Sequence, residues 1–190
     1  WRALRVSAEV PLSQAVVSAL STPGPVECLV RADGVSTPLY FPKPLTTVCT
    51  RKRTVGSGDV VLVSAGAKGV TFRLLEVLAP VGPHFVLLGR SSLGVAETNA
   101  VARLKSLGAE AEYIRCDVAD RSSVEQVVAD VASRMGRVDG FIHGAGILRD
   151  KFLSMMSEED FNSVYQVKLG GLRNILAAAV PYGLRFGVAF

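Results

Sequence analysis

From Asp59 onward the chain repeats one pattern: a short unbroken apolar run, a glycine-bearing turn, then a longer stretch at helical spacing. Val60-Val61-Leu62-Val63 and Phe85-Val86-Leu87-Leu88 are apolar at every position, as strands buried on both faces must be. Glu112 to Cys116, Val138 to His143 and Arg185 to Phe190 read as three further strands. Between them, Val70, Leu74, Leu75 and Leu78 fall at helical spacing up to Pro80, and residues 95–107 form a helix ending at Gly108. Asp120 caps a helix that Gly136 closes, and Ser157 with Asp160 opens a long helix reaching about residue 180. Strands alternating with helices of this length predict an α/β fold, a Rossmann-like doubly wound parallel sheet with helices on both faces.

Residues 1–53 do not follow that pattern. Pro23, Pro25, Pro38, Pro42 and Pro44 break them up, leaving a short helix over Ser13 to Leu20 and a short strand over Val26 to Val30. Residues 54–58 read as a linker. The 190 residues suffice for one domain, or one plus part of a second. A net charge of +4 suits a phosphate-bearing ligand or an acidic partner. It does not point to nucleic acid, because no basic run is interleaved with aromatics, and Arg51-Lys52-Arg53 reads as a solvated loop. Cys28, Cys49 and Cys116 match neither a zinc site nor a redox pair, so no metal is expected and a reducing cytoplasm fits. No apolar run approaches a membrane span.

Parallel sheets of this kind bind ligands beyond the carboxyl ends of their strands, and chemistry-bearing residues follow each strand here. The first runs into Ser64-Ala65-Gly66-Ala67-Lys68-Gly69-Val70-Thr71. Gly66 and Gly69 let backbone approach a pyrophosphate, which the N–H groups of the helix start then hold, with Ala67, Lys68 and Val70 on the same turn. Arg90 lies 24 residues after Gly66, beside Ser91, where this fold contacts the adenosine ribose. A guanidinium there forks onto a phosphate, which favours NADP over NAD. Asp117, beside Val118, is either an acceptor for the adenine amine or a turn residue. Gly144, Ala145 and Gly146 let the chain pass close under a cofactor. His143 reads as a packed polar residue rather than a base.

Phe161, Val164, Tyr165, Leu172, Ile175 and Leu176 share one helix face, and Lys168 falls in the middle of it. Lysines are rarely buried without a partner. Lys168 is therefore a catalytic candidate whose surroundings tune its proton affinity, unless it snorkels to the surface. Gly170 and Gly171 follow it, permitting close packing at a cost of about 1 kcal/mol each.

Together, Ser64 to Thr71, His143-Gly144-Ala145-Gly146-Ile147-Leu148 and Val167-Lys168-Leu169-Gly170-Gly171 resemble the ketoreductase domain of polyketide and polyunsaturated-fatty-acid synthases, a branch of the short-chain dehydrogenases/reductases. The resemblance covers residues 58–190 and makes residues 1–57 the end of the structural, non-catalytic half that precedes the reductase. It implies NADPH-dependent reduction of a β-ketoacyl group carried by phosphopantetheine on an acyl carrier protein, among neighbouring synthase domains. Hydride reaches the carbonyl carbon, a tyrosine assisted by a serine protonates the oxygen, and the lysine supports the tyrosinate. Departures are Ala65 in place of a loop glycine, a short stretch after Ser92, and only a partial match at Arg149-Asp150 to a motif tied to product stereochemistry. The family's serine and tyrosine lie after the last strand, and Tyr165 and Tyr182 do not match them. A non-catalytic scaffold of the same fold is the alternative. A free-standing reductase fits less well with the proline-rich leader.

Overall fold

The structure, a computed structural model, describes residues 3–21, 27–37 and 55–190. Pro23, Pro25, Pro38, Pro42, Pro44, Cys49 and Arg51-Lys52-Arg53 lie outside the described residues. The chain divides into two compact units, Trp1–Arg51 and Lys52–Phe190.

In the first unit β1 (Ala3–Val6) pairs in parallel with β2 (Glu27–Arg31), and β2 turns back antiparallel onto β3 (Gly34–Ser36). The intervening helix α1 (Leu12–Ser21) packs on β1 and β2 and buries Ala15 and Ala19, while Cys28 and Val30 form the buried face of β2. The sequence pointed to α1 and β2; β1 and β3 are too short to carry a periodicity signal.

The second unit is built on five parallel strands: β4 (Val60–Ser64), β5 (His84–Gly89), β6 (Glu110–Arg115), β7 (Gly140–His143) and β8 (Phe186–Ala189). Their order across the sheet is β6-β5-β4-β7-β8. Chain order reverses on either side of β4, so the crevice between the ends of β4 and β7 is the switch point where such sheets take ligands. The helices are α2 (Gly69–Leu78), α3 (Val95–Ser106), α4 (Arg121–Met135), α5 (Glu158–Tyr165) and α6 (Gly171–Ala179). No described helix is long and apolar enough to cross a membrane.

Strand alternation splits the core in two. Val60, Leu62, Val86 and Leu88 face one way, onto Val124, Val128 and Val131 of α4 and Ile175 of α6. Val61, Val63, Phe85 and Leu87 face the other, onto Leu75 of α2 and Leu104 of α3. With side chains of β4 buried on both faces, truncating Leu62 to alanine costs about 2–5 kcal/mol.

Helix ends follow local chemistry. Asp120 accepts from the Ser122 N–H, and Gly136, at φ 77°, closes α4 in the left-handed conformation. Ser157 and Asp160 cap α5 reciprocally. The long helix expected from Ser157 to about residue 180 is interrupted: between α5 and α6 the chain makes a wide π-turn over Gln166–Gly170. The apolar stripe read from the sequence is corrected accordingly. Phe161 and Leu176 are exposed, and the buried face is Val167, Gly171, Ile175 and Ala179. Val70, expected on the buried side of α2, is also exposed; Thr71 and Leu75 are the buried ones.

Candidate functional site

A groove of about 210 Å³ opens at the carboxyl ends of the strands. Ala67, Lys68, Arg90, Ser91, Asp117, Val118, Ala145 and Gly146 line it, so four separate strand ends bring together residues the sequence had singled out. Gly66, Gly69, Val70 and Gly144 do not line it; they shape it from behind or, in the case of Val70, point to solvent.

The glycines set the depth of the groove. A Cβ on Gly66 would stand 2.7 Å from Val63 Cγ1 and 2.8 Å from Leu87 Cδ2, so the turn after β4 sits directly on the core. Gly144 lies against the Thr71 hydroxyl with no room for a methyl. Gly69 has φ 66°, open space around it, and begins α2. Ala65 also adopts a positive φ, 55°, a conformation that glycine takes without penalty and alanine does not.

The start of α2 differs from that of α4 or α5. Its capping position is Lys68, whose side chain makes no capping hydrogen bond. The first-turn N–H groups are therefore left for a ligand, with the positive end of the helix dipole behind them.

Beneath the groove runs a polar strut. The Ala145 N–H donates to Ser64 Oγ (3.1 Å), the Ser64 hydroxyl to His143 Nδ1 (2.9 Å), and His143 Nε2–H to the Lys168 carbonyl (3.0 Å). A carbonyl only accepts, which fixes the proton on Nε2. His143 is fully buried, and burial pushes its pKa below the ordinary histidine value, so the ring is neutral at pH 7. With both nitrogens engaged it is a packed residue and not a base. Its bond ties the ring to the π-turn at the Lys168 carbonyl, which the Gly171 N–H also reaches. A Cβ on Gly171 would lie 3.0 Å from His143 Cε1, so the helix approaches the ring closely only because that position is glycine.

Lys168 is not buried. Its ammonium donates to the Phe190 carbonyl at the end of β8 (3.2 Å), and its stem passes the α-carbon of Gly146. Desolvation by burial is thus not what distinguishes it. Position does: the π-turn delivers it to the rim where β7 and β8 end.

Sequence reading missed several neighbours. Tyr113 lines the groove and donates to the Ser91 carbonyl (2.9 Å), in space that Gly89 leaves free. Burial raises the Tyr113 pKa, keeping the phenol a donor. Glu97, Cys116, Ile147 and Val167 also line the wall. Arg115 donates from Nε to the Arg90 carbonyl (3.2 Å). Tyr113 and Arg115 are found only once the parallel register, with Leu87 beside Tyr113 and Gly89 beside Arg115, is known. Asp117 Oδ1 accepts from the Ala119 N–H in a turn, and the residue lines the groove.

Residues 59–190 match the family described as the KR domain. Erythronolide synthase EryA3 of Saccharopolyspora erythraea is 31% identical over 177 residues, covering 90% of this chain and 5% of the synthase. One chain of the polyunsaturated fatty acid synthase of a Thraustochytrium species is 25% identical, covering 73% of this chain and 7% of that one. The crystal structure of an N-terminal ketoreductase from the macrolactin assembly line superposes with a TM-score of 0.69 at 28% identity, over 72% of this chain and 28% of that one. A short-chain dehydrogenase from Burkholderia cenocepacia in complex with NADP superposes with a TM-score of 0.62 at 25% identity, over 68% of this chain and 53% of that one. The chain thus spans a small part of the synthases it matches. With its parallel sheet, glycine-walled groove and rim lysine, the chain belongs to the KR-domain family of polyketide and polyunsaturated-fatty-acid synthases, within the short-chain dehydrogenase/reductase superfamily.

Proposed function

We propose that the second unit binds NADPH and forms the cofactor side of a reductase for β-ketoacyl groups carried on an acyl carrier protein. The observation that carries the reading is the uncapped start of α2 facing a groove whose far wall holds Arg90. The groove fits a dinucleotide. Gly66 and Gly69 let the turn after β4 approach a pyrophosphate, and Ala67, Lys68 and Val70 present their backbone there. Arg90 and Ser91 stand where an adenosine ribose phosphate would lie, with Asp117 and Val118 beside the base. Gly144, Ala145 and Gly146 pass beneath the nicotinamide half. NADPH bound there would supply the hydride.

Lys168 is the catalytic residue in this reading. Held at the rim by the π-turn and the His143 strut, its ammonium stabilises the tyrosinate that forms as a tyrosine gives its proton to the carbonyl oxygen. In this reading that tyrosine and its serine follow β8. The partners in this reading are the phosphopantetheine-bearing acyl carrier protein and neighbouring synthase domains in the cytoplasm, with residues 1–57 as the end of the preceding structural half.

The test is a titration with NADPH and NADH. NADPH binding at least about tenfold tighter, a gap of about 1.4 kcal/mol that Arg90→Ala removes, supports the cofactor assignment. In the full-length reductase, Lys168→Ala should lower kcat while leaving NADPH affinity unchanged. A non-catalytic scaffold is the second reading, favoured by one observation, the strained Ala65 at φ 55°. A folded chain that binds neither cofactor would establish it.

A further inference from the structure

Arginines in the second unit fall into two groups. Arg73, Arg103, Arg121, Arg134, Arg137 and Arg185 each pair with a carboxylate. Among the described residues Arg90 and Arg115 do not, and neither do Arg149 and Arg173. Arg90 and Arg115 are set apart by being neighbours. They follow or end adjacent strands, and the Arg115 Nε–H donates to the Arg90 carbonyl, tying one to the other. Two arginines brought to one cleft without an ion pair leave it favourable to an anion that enters.

The cleft they share has a volume of about 320 Å³ and is completed by Cys116, Asp117 and Ser123. It opens off the main groove, since Arg90, Cys116 and Asp117 line both. Two guanidiniums face one carboxylate there, and Asp117 Oδ1 is already engaged by the Ala119 N–H. The Arg115 Nε is occupied by the Arg90 carbonyl, leaving its terminal nitrogens to fork onto an oxyanion.

We propose that Arg115 is a second specificity-determining residue, acting with Arg90 as a two-guanidinium clamp on the 2′-phosphate of an adenine dinucleotide. The inference rests on the cofactor reading above and adds a residue that no motif pointed to. A doubly charged phosphomonoester suits two guanidiniums. An unphosphorylated ribose leaves both without a partner, so the clamp discriminates by what it leaves unpaired as well as by what it binds.

The experiment is a matrix of dissociation constants on the full 190-residue chain: NADPH and NADH against wild type, Arg90→Ala, Arg115→Ala, Arg115→Lys and the double alanine variant. NADH affinity is the internal control for folding, because it does not use the clamp. Arg115→Ala should lower the NADPH-over-NADH ratio about fivefold with NADH unchanged, on the scale of a partly exposed charge-assisted contact. Arg115→Lys should recover part of it, and the double variant should bind both cofactors alike. The dependence of NADPH affinity on salt should flatten in each alanine variant. A ratio that falls in Arg90→Ala but stays at its wild-type value in Arg115→Ala overturns the clamp and leaves the cofactor reading standing. Equal weakening of both cofactors by Arg115→Ala also overturns it, assigning Arg115 to the adenine or the fold. A folded wild type that binds neither overturns the cofactor reading, and the clamp with it.

Discussion

The two ends of the five-stranded sheet solve opposite problems. At the amino ends of β4 and β7, two buried carboxylates are fully satisfied. Asp139 accepts from the Val60 N–H (2.9 Å), Arg137 (2.9 Å) and Arg185 (3.1 Å). Asp59 accepts from the Gly56 N–H (2.7 Å) and pairs with Arg185. At the carboxyl ends the same strands run into glycines and an uncapped helix start, and the neighbouring strands β5 and β6 lead to Arg90 and Arg115, which make no ion pair. The carboxylates at one end find their partners within the chain, and the other end leaves donors open. The difference teaches where to look for a ligand: among donors that the fold positions and does not satisfy.

The largest effect expected from breaking this comparison is at the closed end. Asp139→Ala strips the Val60 N–H of its acceptor and two guanidiniums of their partner. Because the guanidiniums are half exposed and rehydrate, the loss is about 2–3 kcal/mol. Urea unfolding should show a lower midpoint at unchanged slope, while cofactor affinity of the folded fraction stays at its wild-type value. The next largest is at the open end. Gly66→Ala forces a methyl against Val63 and Leu87, both fully buried, at about 1–3 kcal/mol. Here the outcome should invert: cofactor binding is lost at temperatures where circular dichroism still reports a folded chain. If Gly66→Ala weakens only stability, the glycine serves the core and not the groove.

Much of this contrast was written in the sequence, and the part that was not has a physical reason. Strands β4 and β5 are legible because burial on both faces makes Val60–Val63 and Phe85–Leu88 apolar at every position. The loop glycines are legible because they stand directly after β4. Lys168 was expected on a buried face, and it is exposed. A helical period of 3.6 carried unbroken from Phe161 to Leu176 puts it on the buried face. The π-turn inserts one residue, rotating everything beyond it by about 100°, so Gly171, Ile175 and Ala179 face the core and Lys168 reaches the rim. Arg115 and Tyr113 were missed because their partners, Arg90 and Ser91, are more than twenty residues away and meet them only through strand register. The carboxylate cluster at the closed end joins residues 59, 139 and 185, which no local pattern connects.

A smaller effect sharpens the comparison at Ala65. Its φ of 55° places a Cβ where left-handed backbone crowds the carbonyl, at about 1 kcal/mol. Ala65→Gly removes that strain but adds backbone freedom to the unfolded chain, which offsets part of the gain. The expected net is a stabilisation of under about 1 kcal/mol, visible as a rise of a few degrees in Tm. If the strain weakens cofactor binding as well, NADPH affinity should rise in the same variant. A gain in Tm without a gain in affinity would confine the effect of Ala65 to the backbone.

The smallest effect separates the two ends by pH. Burial depresses the His143 pKa, so below the ordinary histidine value the unfolded chain takes a proton that the folded chain declines. Its contribution to stability is therefore complete above about pH 6.5 and falls as pH drops toward the folded value. At pH 6 the loss is less than about 1 kcal/mol, since an unfolded histidine is then only partly protonated. Other groups titrate in the same range, so the informative quantity is a difference: the wild type's change in unfolding free energy between pH 7.5 and 6 minus that of His143→Asn. Asparagine keeps a donor and an acceptor but takes no proton, and the wild type should lose more. Equal slopes would mean that protonated His143 is tolerated in the fold, which the bond to the Lys168 carbonyl permits on one nitrogen and the Ser64 hydroxyl must then accept on the other. In that case the Ser64 hydroxyl could no longer donate to Nδ1, and the strut beneath the groove would have reversed its polarity at that bond.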